Sequence, residues 1–218
     1  MKNINKAKIP SYSLGEEIFN SVSHGVGALL SVAAIVILIV KAAFTKDSYM
    51  IISSVIFGAT MIILYTMSTL YHAITNTTAK KVFRIFDHCT IFLLIAGTYT
   101  PYTLVTLRDS VGWYLFGLLW GMTVLGIVLN AVSLERFKKI SVVCYIVMGW
   151  AVIFAVKPLF ENLDIFGIIF LFAGGVFYTV GVIFYALKKI KYMHSVWHLF
   201  VLGGTACHFF SVLFWVIQ

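Results

Sequence analysis

Seven long apolar runs, separated by clusters of charged residues, constrain what this chain of 218 residues can fold into. A helix needs about 20 consecutive apolar residues to cross the hydrocarbon core of a bilayer. The run from 111 to 134 has no charged residue over that length. The pattern therefore predicts an all-α membrane protein, a bundle of seven transmembrane helices at about 19–43, 49–73, 82–105, 111–133, 140–158, 163–187 and 193–217.

Composition agrees with this prediction, since 61% of the residues are hydrophobic and only 11% are charged. Soluble domains carry about a quarter charged residues. A soluble globular protein, a disordered chain and a secreted disulfide scaffold are thereby excluded. We expect residues 1–218 to form one transmembrane domain, with 1–17 as a short cytosolic N-terminal segment. The three cysteines form no Cys-x-x-Cys pair and predict no disulfide framework.

The net charge of +8 indicates membrane topology rather than nucleic-acid binding. Outside the apolar runs there is no aromatic-basic stripe or glycine-rich phosphate loop, so we expect no nucleic-acid partner. Of the 16 Lys and Arg residues, 12 fall on the N-terminal side of the predicted bundle and 4 on the other. The positive-inside rule places the N-terminus in the cytosol and the C-terminus outside. This orientation excludes a G-protein-coupled receptor, and the lack of a lysine after Lys191 excludes a retinal protein.

Nine polar residues gather at the cytosolic ends of four predicted spans. Ionisable groups within a membrane are costly and mark functional sites. Independent helices have no reason to place such residues at one depth, so we expect a shared site. Its candidate members are Glu17, Asn20 and His24 in the first span, Ser68 and His72 in the second, Asp87 and His88 in the third, and His194 and His198 in the seventh.

The histidines among them have spacing suited to a metal. His194 and His198 are four residues apart, so they differ by ~40° and ~6 Å along a helix and can reach one ion. His72 can supply a third nitrogen, which leaves a fourth position for water, as in catalytic zinc sites. Asp87 is the candidate carboxylate to orient or deprotonate that water. Ser68 can hydrogen-bond Asp87 or a substrate carbonyl.

Each of these residues also has a simpler interpretation. The histidines can pack at helix ends or face lipid headgroups. Asp87 can be a helix N-cap, and Ser68 can bond back to a carbonyl of its own helix.

Glu17, Asn20 and His24 lie three and four residues apart and share one helix face. We expect them to support the site through hydrogen bonds rather than to bind the metal.

The remaining histidines and the small residues are expected to serve packing. His88 points ~100° away from Asp87 on a helical wheel and is expected to lie at a packing interface. His208 is ~15 Å beyond His198 and is expected to line a cavity and form a hydrogen bond. The glycine pairs 117/121, 174/175 and 203/204 are expected at close helix contacts. Pro101 is expected to kink or end the third span.

Three motifs carry a resemblance to a known family: Glu17-x2-Asn20-x3-His24, Ser68-x3-His72 followed by Asp87, and His194-x3-His198. They resemble the signature motifs of the progestin and adipoQ receptor family, in its bacterial hemolysin III branch. The resemblance implies a multi-pass protein of the bacterial cell membrane with Zn2+ near the cytosolic face. By this match the three histidines bind zinc, Asp87 holds the zinc-bound water, and Ser68 is its partner.

Three functions remain open from the sequence. The family is also similar to alkaline ceramidases, which implies a zinc-dependent hydrolase of a lipid amide or ester. A non-enzymatic membrane sensor or homeostasis protein with structural zinc is the first alternative, and a hemolytic or channel-like protein is the second. The expected partners are the lipid bilayer and a membrane lipid or fatty-acyl ligand.

Overall fold

The computed structural model describes residues 9–187 and 189–218, and this part of the chain is helical and contains no strand. The helices are α1 (Leu14–Thr45), α2 (Ser48–Ala73), α3 (Thr77–Pro101), α4 (Gly112–Gly149), α5 (Val156–Asn162), α6 (Ile165–Ala186) and α7 (Met193–Ser211). Short π-helices at Tyr102–Thr106 and Val212–Val216 continue α3 and α7, and a 3-10 helix at Ala151–Ala155 connects α4 with α5. Four cations used to predict orientation lie outside the described residues: Lys2, Lys6, Lys8 and Lys188.

Six helical segments of the described chain are long and apolar enough to cross a membrane. The predicted fourth and fifth spans fall together in one of them, Gly112–Asn162. The connection expected at 134–139 is shorter than predicted: residues 134–139 are helical, and the break between the two helices lies at Ser133, whose φ is −163° and ψ is 92°. Glu135 stabilises this region by pairing with Arg84 at 2.6 Å and Lys138 at 2.7 Å. The count of seven crossings stays a prediction.

Two helices begin earlier than the hydropathy pattern indicated. α1 starts at Leu14, so residues 14–17 belong to the helix and not to the N-terminal segment. Ser13 and Glu16 form a capping box that satisfies the first free N–H groups. α3 starts at Thr77, where the Asn76 side chain accepts a hydrogen bond from the N–H of Ala79 at 3.0 Å. Caps of this kind are polar, so hydropathy alone misses them. α3 ends at Pro101, as predicted.

α1 buries its small and polar residues and exposes its large apolar ones. Its outward face carries side chains such as Leu29, which is 74% exposed. In water this arrangement would be unfavourable, whereas in lipid the apolar side chains face acyl chains and small residues let helices approach. The buried residues recur every three or four positions and are Glu16, Asn20, His24, Gly27, Ser31, Ala34, Leu38 and Ala42.

The glycine pairs have different surroundings. Gly203 and Gly204 lie against aromatic rings of α6, so an added Cβ would come within 2.9 Å of them. The prediction for Gly117 and Gly121 is wrong, since a Cβ built at either has no atom within 4 Å apart from its own stretch of helix. No other described helix packs against these two positions of α4.

Helix packing brings one end of four helices together. α1 packs against α2 and α7, and α2 packs against α3. The start of α1, the end of α2, and the starts of α3 and α7 therefore meet at the same end of the bundle. All the predicted site residues lie in these four segments.

Candidate metal centre

Three histidines from two helices converge at this end. Each of His72, His194 and His198 offers a ring nitrogen, and the three atoms lie within 4.8 Å of one another. The Nε2 atoms of His194 and His198 are 3.2 Å apart. Two nitrogens that bind one tetrahedral zinc at 2.0–2.1 Å are separated by about 3.3 Å. The one-turn spacing in α7 therefore produces the separation that a shared ion requires.

His72 is held in the orientation of a metal ligand. Its Nδ1 lies 2.7 Å from Oε2 of Glu17, and a carboxylate can only accept, so Nδ1 carries the proton. Nε2 then presents a lone pair. It is buried and has no hydrogen-bond partner among the described residues. Buried polar atoms without partners are rare and call for an explanation, and a carboxylate behind a histidine is typical of metal sites.

Glu17 also connects His72 to the first turn of α3. Its second oxygen, Oε1, lies 2.8 Å from Nζ of Lys80. The carboxylate is only 17% exposed, while the His72 side chain is fully buried. Glu17 is thus fixed from two sides, and His72, His194 and His198 together fit a metal ion.

Asn20 and His24 lie against α7, as the shared helix face predicted. Asn20 accepts a hydrogen bond from the Ser195 hydroxyl at 2.6 Å. His24 makes its contact by stacking, because its ring lies 3.6 Å from that of His198 at an interplanar angle of 11°. Neither nitrogen of His24 has a hydrogen-bond partner in the described part of the chain, so the expectation that His24 forms a hydrogen bond is wrong. Asn20 and His24 thus contact α7 from the α1 side, one by a hydrogen bond and the other by stacking.

Asp87 and Ser68 lie on the α3 side of the histidines. Asp87 is in the third turn of α3, whose N-cap is Asn76, so the interpretation of Asp87 as an N-cap is wrong. The Ser68 hydroxyl lies beside Asp87. It is buried and makes no hydrogen bond to any described residue, which excludes the bond to its own helix. The Ser68 hydroxyl is therefore available to a ligand at this end of the bundle.

His88 contacts the site, which the helical wheel did not predict. Its Nδ1 lies 3.3 Å from Oδ2 of Asp87 and 2.9 Å from the carbonyl of Arg84. The imidazole ring turns back toward the preceding turn of its own helix. It therefore reaches Asp87 even though the Cβ atoms of His88 and Asp87 point about 100° apart around the helix axis.

Several site residues carry no recognisable signal in the sequence. The Tyr12 ring stacks on His194 at 5.1 Å and lies 5.7 Å from the His72 ring. It precedes the first helix, so no periodicity marks it. Oε1 of Glu16 accepts a hydrogen bond from the N–H of Tyr192 at 2.8 Å and thereby attaches the start of α1 to the start of α7.

Two cavities adjoin this region. One, of about 470 Å³, opens at the same end of the bundle and has His194 in its wall. The other, of about 100 Å³, lies between α3, α4, α6 and α7 and is mostly apolar. His208 lines the second cavity, as predicted, and stacks on Tyr178 at 5.5 Å. Its Nδ1 forms no hydrogen bond within the described residues, contrary to the expectation.

The model of the haemolysin-III related family matches residues 12–209, nearly the whole chain. The chain belongs to this family. As a haemolysin-III related protein with six helices able to span a membrane, it is a multi-pass bacterial membrane protein. The resemblance seen in the three motifs is confirmed.

Relatives of this haemolysin-III related chain occur in bacteria and in animals. It is 46% identical to Hemolysin-3 of Bacillus cereus, over 93% of this chain and 92% of the relative. It is 45% identical to a Hemolysin-3 homolog of Bacillus subtilis, over 95% and 97%. Monocyte to macrophage differentiation factor of Homo sapiens is 27% identical, over 90% and 83%.

Proposed function

We propose that this protein is a zinc-dependent hydrolase of a lipid amide or ester, with its site near the cytosolic leaflet. The observation that carries the proposal is the buried Nε2 of His72, without a hydrogen-bond partner among the described residues and grouped with His194 and His198. The cavity of about 470 Å³ reaches this group at His194, which lies in its wall, and we take it as the route of the ligand. An enzyme needs such access, and a purely structural site does not.

Three imidazoles favour zinc among the common divalent ions, because calcium and magnesium prefer oxygen ligands. Bound zinc supplies Lewis acidity, which polarises a carbonyl and makes water a nucleophile near neutral pH.

The side chains of the protein perform the remaining tasks. Glu17 keeps the proton on Nδ1 of His72 and so keeps Nε2 available. Asp87 accepts a proton from the attacking water and returns it to the leaving group, and His88 holds Asp87 in position. The Ser68 hydroxyl, buried beside Asp87, donates a hydrogen bond to the substrate carbonyl. The apolar cavity between α3, α4, α6 and α7 suits an acyl chain.

The proposed topology has seven crossings, with a cytosolic N-terminus and an external C-terminus. The segment Gly112–Asn162 has 51 residues. At 1.5 Å per residue it is about 76 Å long, more than twice the thickness of a bilayer core. The non-helical backbone at Ser133 divides it into two parts that are each long enough for one crossing. Cysteines introduced at the two ends of the chain, labelled with an impermeant thiol reagent on intact cells, test this topology. Labelling of both ends from outside contradicts it.

Hydrolysis is tested with purified protein and a panel of ceramides, N-acyl lipids and acyl esters. Asp87→Asn should reduce turnover by about 100-fold or more, as expected for the loss of a general base. Asp109→Asn is the matched control, because it is the same change at an exposed position. Equal turnover by the wild type and Asp87→Asn across the panel removes the mechanism.

A second function, a membrane sensor with structural zinc, is favoured by the way the ligands join helices. His72 is in α2, its partner Glu17 is in α1, and His194 and His198 are in α7. A metal there would cross-link α2 and α7 directly, and α1 through the hydrogen bond of Glu17 to His72. This function predicts that chelation lowers the melting temperature of a protein without turnover. An unchanged melting temperature after zinc removal contradicts it.

A channel-like activity is the third candidate, suggested by the names of the bacterial relatives. Ion flux from purified protein in liposomes tests it.

A further inference from the structure

The cavity of about 470 Å³ next to the metal centre has a mixed wall that includes three cationic and three phenolic side chains. Three cationic side chains line it, Arg84, Lys189 and Lys191, together with one carboxylate, that of Glu16. Both oxygens of Glu16 already accept hydrogen bonds, Oε2 from Ser13 and Oε1 from the N–H of Tyr192. The wall therefore carries more positive than negative charge. Both oxygens of Glu16 are already engaged in hydrogen bonds within the protein.

Two buried donors in this wall have no partner. The Nε atom of Arg84 and the hydroxyl of Tyr71 are both buried, and neither is hydrogen-bonded within the described chain. Arg84 is 5% exposed and Tyr71 is 1% exposed. Buried donors are normally satisfied. Because both residues line the cavity, their two unsatisfied donors favour a ligand at its wall that accepts hydrogen bonds.

Glu135 does not cancel the charge of Arg84, because it is shared. Its Oε1 lies 2.6 Å from Nη1 of Arg84 and its Oε2 lies 2.7 Å from Nζ of Lys138. The single negative charge of Glu135 is thus shared between the two cations, Arg84 and Lys138. The pair also fixes the Arg84 guanidinium through Nη1 and leaves the Nε side uncommitted.

Tyr12 contributes a further donor at the boundary with the metal centre. Its phenol belongs to a side chain that lines the cavity wall. Tyr12 and His194 both line the cavity, and their rings stack. A ligand in the cavity is therefore adjacent to a metal-binding histidine.

We propose that this cavity binds the anionic head group, a phosphate or a carboxylate, of an amphiphile whose carbonyl group reaches the metal centre. The inference rests on the proposed hydrolase function and adds a substrate class to it. Guanidinium, ammonium and phenol donors around one space are the groups that recognise such anions. An uncharged head group offers these donors only neutral acceptors, whose hydrogen bonds are about half as strong as those to an anion, so its affinity should be lower.

The test measures binding, so its result does not depend on turnover. Purified protein in an uncharged maltoside detergent is titrated with octyl phosphate, octanol and inorganic phosphate by isothermal titration calorimetry. Octyl phosphate should bind at least tenfold more tightly than octanol. Inorganic phosphate reports the contribution of the anion alone, and its weaker binding indicates a lipid head group rather than a free anion. Equal affinity for octyl phosphate and octanol overturns the proposal.

Variants locate the binding. The double substitution Lys189→Gln/Lys191→Gln changes two exposed side chains and should weaken octyl phosphate binding roughly three- to tenfold, in line with exposed charge pairs. Arg84→Gln should weaken it more, and retention of zinc shows that this variant is folded. Lys139→Gln, an exposed cation at the same end of the bundle and outside the cavity wall, is the control. A loss of affinity in the control equal to that of the double variant also overturns the proposal. If binding behaves as expected and no lipid is hydrolysed, the hydrolase function fails while the anion site stands.

Discussion

The carboxylate of Glu17 gives the sharpest prediction about the metal centre. Glu17→Gln keeps the size of the side chain and an oxygen that can accept from Nδ1 of His72, but it removes the negative charge. The hydrogen bond of 2.7 Å then becomes a neutral one. His72 is fully buried and Glu17 is 17% exposed, so solvent screens this interaction weakly.

The expected loss of zinc affinity can be estimated from the effect of carboxylates that hydrogen-bond metal-binding histidines in other proteins. Loss of a hydrogen-bonded carboxylate behind a metal-binding histidine reduces metal affinity by about 10- to 100-fold. This corresponds to about 1.4–2.8 kcal/mol. The ionic hydrogen bond alone accounts for about 1.5–3 kcal/mol. The two values agree, so we expect Glu17→Gln to weaken zinc binding by one to two orders of magnitude.

The assay is competition for zinc between purified protein and a fluorescent chelator of known affinity. Glu161→Gln is the matched control, since it is the same change at an exposed position in α5. Lys80→Gln removes the second partner of Glu17 and leaves the hydrogen bond to His72, so it should have a smaller effect than Glu17→Gln. Unchanged zinc affinity in Glu17→Gln would refute the role assigned to this carboxylate, and an equal loss in Glu161→Gln would show that the effect is not local.

Three further predictions concern the ligands and the packing. Metal analysis should find near-stoichiometric zinc in the wild type and in His208→Ala but not in His194→Ala, and equal zinc content in the two variants contradicts the assignment. Removal of zinc should lower the melting temperature, because the ion binds only the folded state; the same curve with and without chelator argues against binding. A Cβ at Gly97 would overlap the side chain of Thr60, so Gly97→Ala should destabilise the protein by about 1–3 kcal/mol. Gly117→Ala, with no atom within 4 Å of the new Cβ apart from its own stretch of helix, should be neutral or stabilising by up to about 1 kcal/mol, and thermal denaturation distinguishes the two.

Local sequence was sufficient for the parts of the site that lie within one helix. The four-residue spacing of His194 and His198 predicted two rings on one face, and their Nε2 atoms are 3.2 Å apart. The same argument failed for His88, because a side chain can rotate toward its own preceding turn. The proposed roles of Asp87 and Ser68 stay predictions.

The sequence by itself determined the membrane class, the positions of most helices and the end of the bundle where polar residues gather. These properties depend on hydropathy and on the 3.6-residue repeat, which are local. Only the tertiary structure decided that Glu17 lies behind His72, that Tyr12 covers His194, and that Arg84 enters a cavity wall. Those contacts join residues far apart in the chain, and they depend on how α1, α2, α3 and α7 pack rather than on any spacing along one helix.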